Sequence, residues 1–429
     1  MRRCPVLEQQ AYAYRSDELQ TGSSTALFGF IADCIGSFLE KHNEPKKRSE
    51  PLHMGFTFSF PVQQTGIASG NLLHWTKGFD CKDAVGRDVV QLLQEQLHER
   101  EISVQVSALI NDTVGALLAS AYESHGKTIL GGIYGTGTNG AYIEKIANIP
   151  RFHTAEIKGH KTMIVNTEWG GYDSEREALP VTRFDNAVDR LDIRPRTHVF
   201  EKMISGMYLG EIARHVLLEL VDELVLFEGY SSPQLNKQYG FDTALMSAIE
   251  EHHVPPTSPD SPTRRVLLEE LRLDPRHVSD EDLETVERVC AIVGRRAARL
   301  SAVAISATIV QTERTKGNDT VQIGVDGSVI QYYPGTSPGR AAALTPGFDK
   351  SVLTAIADVL GNETADRVRI DDARDGSGVG GMSCLWDRSL TGSGTWRAAG
   401  VQAGRRCISV YRNNPSTNRG GGQCSGGAQ

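Results

Sequence analysis

The chain has 429 residues, with 45 Lys and Arg against 53 Asp and Glu, a net charge of −8. That length predicts about two or three domains with an ample core. The acidic balance argues against nucleic acid as a partner, because there is no strong basic run and Lys46-Lys47-Arg48 is a short polar connector. The longest apolar stretch, near residues 301–310, is too short to cross a bilayer, which argues against membrane insertion. Met1-Arg2-Arg3-Cys4-Pro5 shows no apolar signal-peptide core, and 7 cysteines lack metal-ligand spacing, so no metal ligands are assigned and a reduced, cytoplasmic setting is expected.

In chain order, residues 6–14 form a candidate polar strand. Residues 25–42 carry one apolar stripe (Leu27, Phe28, Ile31, Cys34, Ile35, Phe38, Leu39) and predict an amphipathic helix, with Ser24 as its cap. After a charged connector, residues 54–61 predict a strand ended by Pro61. Residues 75–80 are irregular, and 89–97 predict a helix.

Residues 102–110 alternate as a buried strand, and 113–122 read as a helix rich in Ala and Leu. Asp112 therefore stands at a strand-to-helix junction, where ligands bind in α/β sheets. A carboxylate there serves as a general base or simply as the helix N-cap.

Residues 128–134 predict a strand that runs into Gly135-Thr136-Gly137-Thr138-Asn139-Gly140, a match to G-x-G-x-x-G. A dinucleotide site needs a long helix after the glycines, and here residues 141–144 look like a second strand. The segment reads as a glycine hairpin, either plain or with N–H groups turned to a phosphate. Glu168 and Glu201 each sit beside an aromatic residue, and the second opens a predicted helix to about residue 223. Their ordinary alternatives are a surface glutamate and a first-turn dipole residue.

A Pro-rich polar loop follows within 231–263. One or two long helices are expected over 280–311, a strand over 321–325, and a turn at Asp326-Gly327-Ser328. A helix over 351–360 and a short strand over 367–370 come next, then a second Gly loop at 375–380. Beyond about residue 383, Gly, Ser, Arg and Asn dominate, and this tail is expected to be poorly ordered.

Six motifs in this order resemble the hexokinase family, and the fungal hexokinases and glucokinases most of all. They are GFTFSFP at 55–61, WTKGFD at 75–80, ALINDTVG at 108–115, GTGTNGAYIE at 135–144, NTEWG at 166–170 and FEKMISGMYLGE at 200–211. The resemblance covers roughly residues 6–380. It implies an α/β fold of the two-lobed actin-like ATPase (ribonuclease H-like) class. The implied division is a partial small lobe over 1–112, a large lobe over 113–382 and an atypical tail over 383–429.

It also implies transfer of a phosphoryl group from ATP, with Mg2+ held mainly through the nucleotide phosphates, to the 6-hydroxyl of a hexose. Glucose is the hexose expected, and the step is the first of glycolysis. Carried over by motif, Asp112 is the general base. Ser59, Thr76, Lys77, Asn111, Asn139, Glu168 and Glu201 hold the sugar hydroxyls, and carboxylates and amides suit that task because each hydroxyl both donates and accepts. Gly135, Thr136 and Gly137 face the transferring phosphoryl group, and Ser328 with Gly376, Ser377 and Gly378 lies near the adenosine. Two departures from the family stand out. Its first phosphate loop, an Asp-Leu-Gly-Gly-Thr-Asn-like segment, is absent, which implies a small lobe incomplete at its N-terminus. Its Ala-rich C-terminal helix is replaced by Cys384-Leu385-Trp386-Asp387 and unrelated sequence. On this reading the chain phosphorylates hexose poorly, and the alternative is a catalytically impaired sugar-binding or regulatory protein.

Overall fold

In the computed structural model the described residues are 8–14, 17–76, 78–150, 161–250, 258–334, 347–373 and 406–412. The chain divides into two compact units, Met1–Leu109 with Gly381–Gln429, and Ile110–Gly380. The first begins with β1 (Glu8–Tyr14), α1 (Asp17–Thr21) and α2 (Ser24–Lys41). The α2 stripe is buried as its spacing requires, at Leu27, Phe28, Ile35 and Leu39. Ser24 is not its cap. Ser23 accepts the Ala26 N–H at 3.1 Å, while the Ser24 N–H and hydroxyl donate to Asp83 at 2.9 and 2.7 Å.

β2 (Leu52–Thr57) stops earlier than the strand expected over 54–61. The reason is aromatic packing. Phe58 and Phe60 turn onto Trp75, with ring centroids 5.9 and 4.8 Å away, and Trp75 stacks on Phe79 at 5.6 Å. Trp75 is fully buried and its indole N–H donates to the Cys81 carbonyl at 2.7 Å. The cluster thereby fixes the backbone at Ser59 and Thr76. β3 (Val62–Gly66) and β4 (Ser69–Leu72) form an antiparallel hairpin, α3 (Val89–Glu99) is capped by Asp88, and β5 (Val104–Ile110) pairs with β2.

The second unit opens with α4 (Asp112–Glu123), β6 (Thr128–Tyr134), β7 (Thr138–Lys145) and β8 (Thr162–Asn166). Then come α5 (Arg183–Leu191), α6 (Val199–Ile204), α7 (Leu209–Asp222), α8 (Pro233–Asn236), α9 (Thr243–Glu250), α10 (Pro262–Arg265) and α11 (Asp280–Gln311). It closes with β9 (Val321–Asp326), α12 (Ser328–Tyr332), α13 (Phe348–Leu360), α14 (Asn362–Ala365) and β10 (Val368–Asp372). The sheet order is β10-β9-β6-β7-β8; β6, β9 and β10 run parallel, and β6-β7-β8 is an antiparallel meander.

Two features place the functional elements. Gly131 on β6 lets α4 approach closely: a Cβ there would stand 2.4 Å from the Leu117 backbone nitrogen. At the far end, the Ser120 and Ser124 hydroxyls reach the Thr128 hydroxyl at 2.9 and 2.8 Å. The C-terminal part of α4 thus lies at the start of β6, so the two run antiparallel.

The helix expected from Phe200 to about residue 223 is instead α6 and α7 with a break between them. The Gly206 and Met207 N–H groups donate to Gly135 O at 2.8 Å and Thr136 O at 3.3 Å, and so are diverted from any helical partner. The segment 280–311 is a single 32-residue helix, α11, started by a Ser279–Asp282 capping box.

Within the tail expected to be poorly ordered, Arg406–Arg412 forms a strand, β11, parallel to β1 from Glu8↔Arg406 to Tyr14↔Arg412. Its β-branched Ile408 and Val410 recur at a strand's period of two, a local signal that the Gly- and Ser-rich surroundings mask. The rest of that tail, the Gly loop at 375–380 and residues 251–257 of the Pro-rich stretch lie outside the described residues. Among the described residues no helix is long and apolar enough to cross a membrane.

Two outcomes follow from this packing. Gly131→Ala should push α4 off β6 and destabilise the protein by about 1–3 kcal/mol, read from the urea midpoint. The second concerns Glu250, which takes the Tyr333 hydroxyl over Gly294 of α11. Burial pushes its carboxyl from 4.5 up to about 7, with Tyr333 and Arg295 opposing and Glu287 adding to the rise. Between those values the folded state keeps a proton that the unfolded chain releases. Stability therefore falls as pH rises through that window, by about 3 kcal/mol once complete. Glu250→Gln should flatten this slope in denaturation curves taken from pH 4.5 to 8 and be the more stable form at pH 8. An unchanged slope contradicts the assignment.

Candidate functional site

The geometry starts at the β5–α4 junction. Asn111 has extended backbone (φ −81°, ψ 154°) and caps α4, its Oδ1 accepting the Thr113 N–H at 2.9 Å and also the Thr113 hydroxyl. Asp112 is thus not the cap but the first helical residue, in the first turn of α4 and 8% exposed. Its Oδ1 accepts the Thr113 N–H at 2.8 Å; its other oxygen has no hydrogen-bond partner among the described residues.

The antiparallel contact of α4 with β6 locates this carboxylate. From Leu117 back to Asp112 is ~7.5 Å of helix, and from Gly131 on to Tyr134 is ~10 Å of strand. Asp112 therefore stands at the C-terminal end of β6, where Gly135-Thr136-Gly137 turns the chain into β7. There Thr138 pairs with Tyr134 and Asn139 with Ile133.

The first residues of β7 gather the remaining polar groups. The Thr138 N–H donates to Glu201 Oε2 at 2.9 Å. Asn139 donates from Nδ2 to Asn166 Oδ1 at 2.7 Å and to Glu168 Oε1 at 3.3 Å, and Asn166 donates to the same Glu168 oxygen at 2.7 Å. The Trp169 indole N–H donates to the Thr138 hydroxyl at 3.0 Å, and a Cβ on Gly140 would lie 2.2 Å from that indole ring.

Glu168 is half-buried in the left-handed region (φ 50°, ψ 40°), and His198, three residues before Glu201, is there too (φ 51°, ψ 43°). Such backbone costs about 1 kcal/mol or more per non-glycine residue. Glu201 does stand in the first turn of α6, and it is also 4% exposed and bonded across 63 residues.

Behind Glu201, Lys202 is buried with its Nζ on Asp189 at 2.8 Å, Asp192 at 3.2 Å and the Arg194 carbonyl at 2.7 Å. Burial raises the Asp189 carboxyl, but Lys202, the Arg196 N–H and Arg176 outweigh it and hold the group below its ordinary value. This charge network clamps residues 192–197 immediately ahead of His198 and α6.

The glycine turn has its own surroundings. Gly327 (φ 115°) could not carry a side chain, since a Cβ would sit 2.6 Å from the Tyr134 carbonyl. Ser328 N lies 3.7 Å from where a Gly135 Cβ would be, and the Gly206 N–H donates to Gly135 O. Gly135, Thr136, Gly137 and Ser328 are thus neighbours around a backbone cradle whose close approach depends on Gly327 and Gly206, which fits the binding of a phosphate. Ser59 and Thr76 belong to the first unit, Ser59 half-buried and Thr76 buried. Lys77, Gly376, Ser377 and Gly378 lie outside the described residues.

Sequence reasoning passed over Thr138, Asn166, His198 and Lys202. Two left a signal. Asn166 stands two residues before Glu168, on the same side of an extended chain. Lys202 is a charge within an apolar helical run, which calls for a buried partner.

Carboxylates and amides on one side of a strand end, beside a glycine turn, suit a hydroxyl-rich ligand next to a phosphoryl group. With its α/β sheet, this is the arrangement of a sugar kinase of the two-lobed actin-like ATPase class. Models of the hexokinase family match residues 4–122 and 129–385. The chain is 37% identical over 404 residues to a glucokinase of Aspergillus niger, spanning 87% of this chain and 79% of that one. It is 37% identical over 389 residues to glucokinase-1 of Saccharomyces cerevisiae, spanning 84% and 75%. A Schistosoma mansoni hexokinase solved in complex with glucose superimposes with a TM-score of 0.74 at 31% identity, covering 86% of this chain and 77% of that one. The chain belongs to the hexokinase family.

Proposed function

We propose that the chain phosphorylates glucose at the 6-hydroxyl from ATP, with Asp112 as general base. ATP-dependent hexose phosphorylation is the reaction of this family, and this chain is a phosphotransferase of that type. The observation that carries the residue roles is the joining of Asn139, Glu168 and Glu201 at the start of β7, beside the strand end to which α4 brings Asp112. Glucose is favoured by the glucokinases among the relatives and by the glucose bound to the similar solved hexokinase.

In this reading the sugar 6-oxygen forms its bond to the γ-phosphorus as its proton passes to Asp112. The bond from that phosphorus to the β–γ bridging oxygen breaks, and its electron pair leaves with ADP. Asn111, with its oxygen held by Thr113, turns its amino group to a sugar oxygen; Asn139, Glu168 and Glu201 fix the other hydroxyls. Ser59, Thr76 and Lys77 are proposed as further sugar contacts from the motifs of the first unit. The Gly135 N–H closes the turn on Gly137 O at 3.0 Å, so the Thr136 and Gly137 N–H groups are the ones proposed to face the transferring phosphoryl, with Ser328 and the 376–378 loop near the adenosine. ATP would be used as its Mg2+ complex, with the ion held mainly through the nucleotide phosphates, where it would supply charge neutralisation. Positioning and charge stabilisation suffice for this chemistry. Free thiols at Cys34, Cys81 and Cys290 agree with a cytoplasmic setting.

Asp112→Asn keeps the shape and removes the base. It should lower kcat about 10²- to 10⁴-fold in a coupled ADP-release assay with glucose, with a much smaller change in glucose Kd by calorimetry. Near-normal turnover per folded molecule contradicts the assignment.

A further inference from the structure

We infer that Asn166 is a positioning residue of the hexose site, its amide tying Asn139 and Glu168 into one unit that sets the affinity for the sugar. The inference rests on the reading of Asn139 and Glu168 as hexose ligands. Asn166 ends β8, the last strand of the sheet, opposite Ala141 of β7, and the Thr167 N–H extends the pairing to Gly140 O at 2.9 Å. Asn139 lies two residues before Ala141, so both amides come to the same end of the β7–β8 pair.

The bonds leave each group one orientation. Asn139 Oδ1 takes the Gly140 N–H at 2.7 Å, which turns its amino group towards Asn166 Oδ1 at 2.7 Å. The Asn166 amino group is then the end that donates to Glu168 Oε1, at 2.7 Å. That bond is charge-assisted, and it reaches a carboxylate whose own backbone is in the left-handed region.

The fold does not need this side chain. Asn166 is exposed and lies outside the hydrophobic core, and among the described residues both of its side-chain hydrogen bonds go to residues of the site. Its loss should therefore register in sugar affinity more than in stability. Among the described residues Glu168 is the titratable group that Asn166 touches.

Asn166→Asp preserves shape and the bond from Asn139, but replaces the donor to Glu168 with a second carboxylate. Asn166→Ser removes the bridge without adding charge. Both should raise glucose KM and calorimetric Kd about tenfold to a hundredfold at pH 8, the worth of one charge-assisted hydrogen bond. The fall in kcat should be smaller than this rise, and melting temperatures should stay near wild type. For Asn166→Asp the penalty should shrink as pH is lowered to 5.5, because a proton shared between the two carboxyls restores a donor; for Asn166→Ser it should not. A purely structural role would produce no such difference in pH profile. Glu168→Gln is the control for the underlying reading and should lose glucose affinity by itself. If it does, and Asn166→Asp follows wild type at every pH, the inference is overturned and the site reading stands. If Glu168→Gln binds glucose normally, the site reading fails and the inference with it.

Discussion

Helix α4 can lie against strand β6 because Gly131 has no side chain, and the second unit is arranged around that contact. A methyl group at Gly131 would collide with the Leu117 backbone, and one at Gly324 on the adjacent strand would stand 2.2 Å from Ser120 Cβ. Two glycines on neighbouring parallel strands thus form one groove for one helix. The helix direction then fixes where its first carboxylate goes, to the strand end where the glycine turn begins. Asp112 is placed by backbone packing rather than by side-chain contacts, which suits the general-base role proposed for it.

The β6–β7 hairpin serves both halves of the proposed reaction. Its turn forms the glycine cradle with Gly206 and Gly327, and the residues straight after it bind Glu201 and Glu168. Each carboxylate here is met by a donor. The Thr138 N–H meets Glu201, the amides of Asn139 and Asn166 meet Glu168, and the Thr113 N–H meets Asp112. The left-handed backbone at Glu168 and His198 is the local cost. It is sustained by the packing of Trp169 on Gly140 and by the buried Lys202–Asp189–Asp192 network.

Much of this was legible in the sequence. The strand, junction and helix around Asp112, the hairpin after Gly135, the long helix from Asp280 and the turn at Gly327 are local patterns, and local patterns survive folding. The motifs that resemble the hexokinases also marked Asn139, Glu168 and Glu201 before any of them had a partner. What stayed hidden depends on distant atoms. The helix from Phe200 breaks because Gly135 and Thr136 capture the N–H groups of Gly206 and Met207. The strand at Phe56 ends early because Trp75 recruits Phe58 and Phe60. Ser23 displaces Ser24 as a cap because Asp83, 59 residues away, binds Ser24. Asn166 was assigned no role of its own until its bonds to Asn139 and Glu168 could be seen.

The central claim is that the carboxylate carried by α4 and the amides and carboxylates at the start of β7 address one sugar. A crystal structure of the protein with glucose tests this most directly. The account predicts Asp112 within about 3 Å of the 6-hydroxyl, with Asn139, Glu168 and Glu201 each bonded to other hydroxyls of the same molecule. Glucose bound with Asp112 out of hydrogen-bonding reach of the 6-hydroxyl, or with Glu168 and Glu201 making no contact with it, would contradict the account.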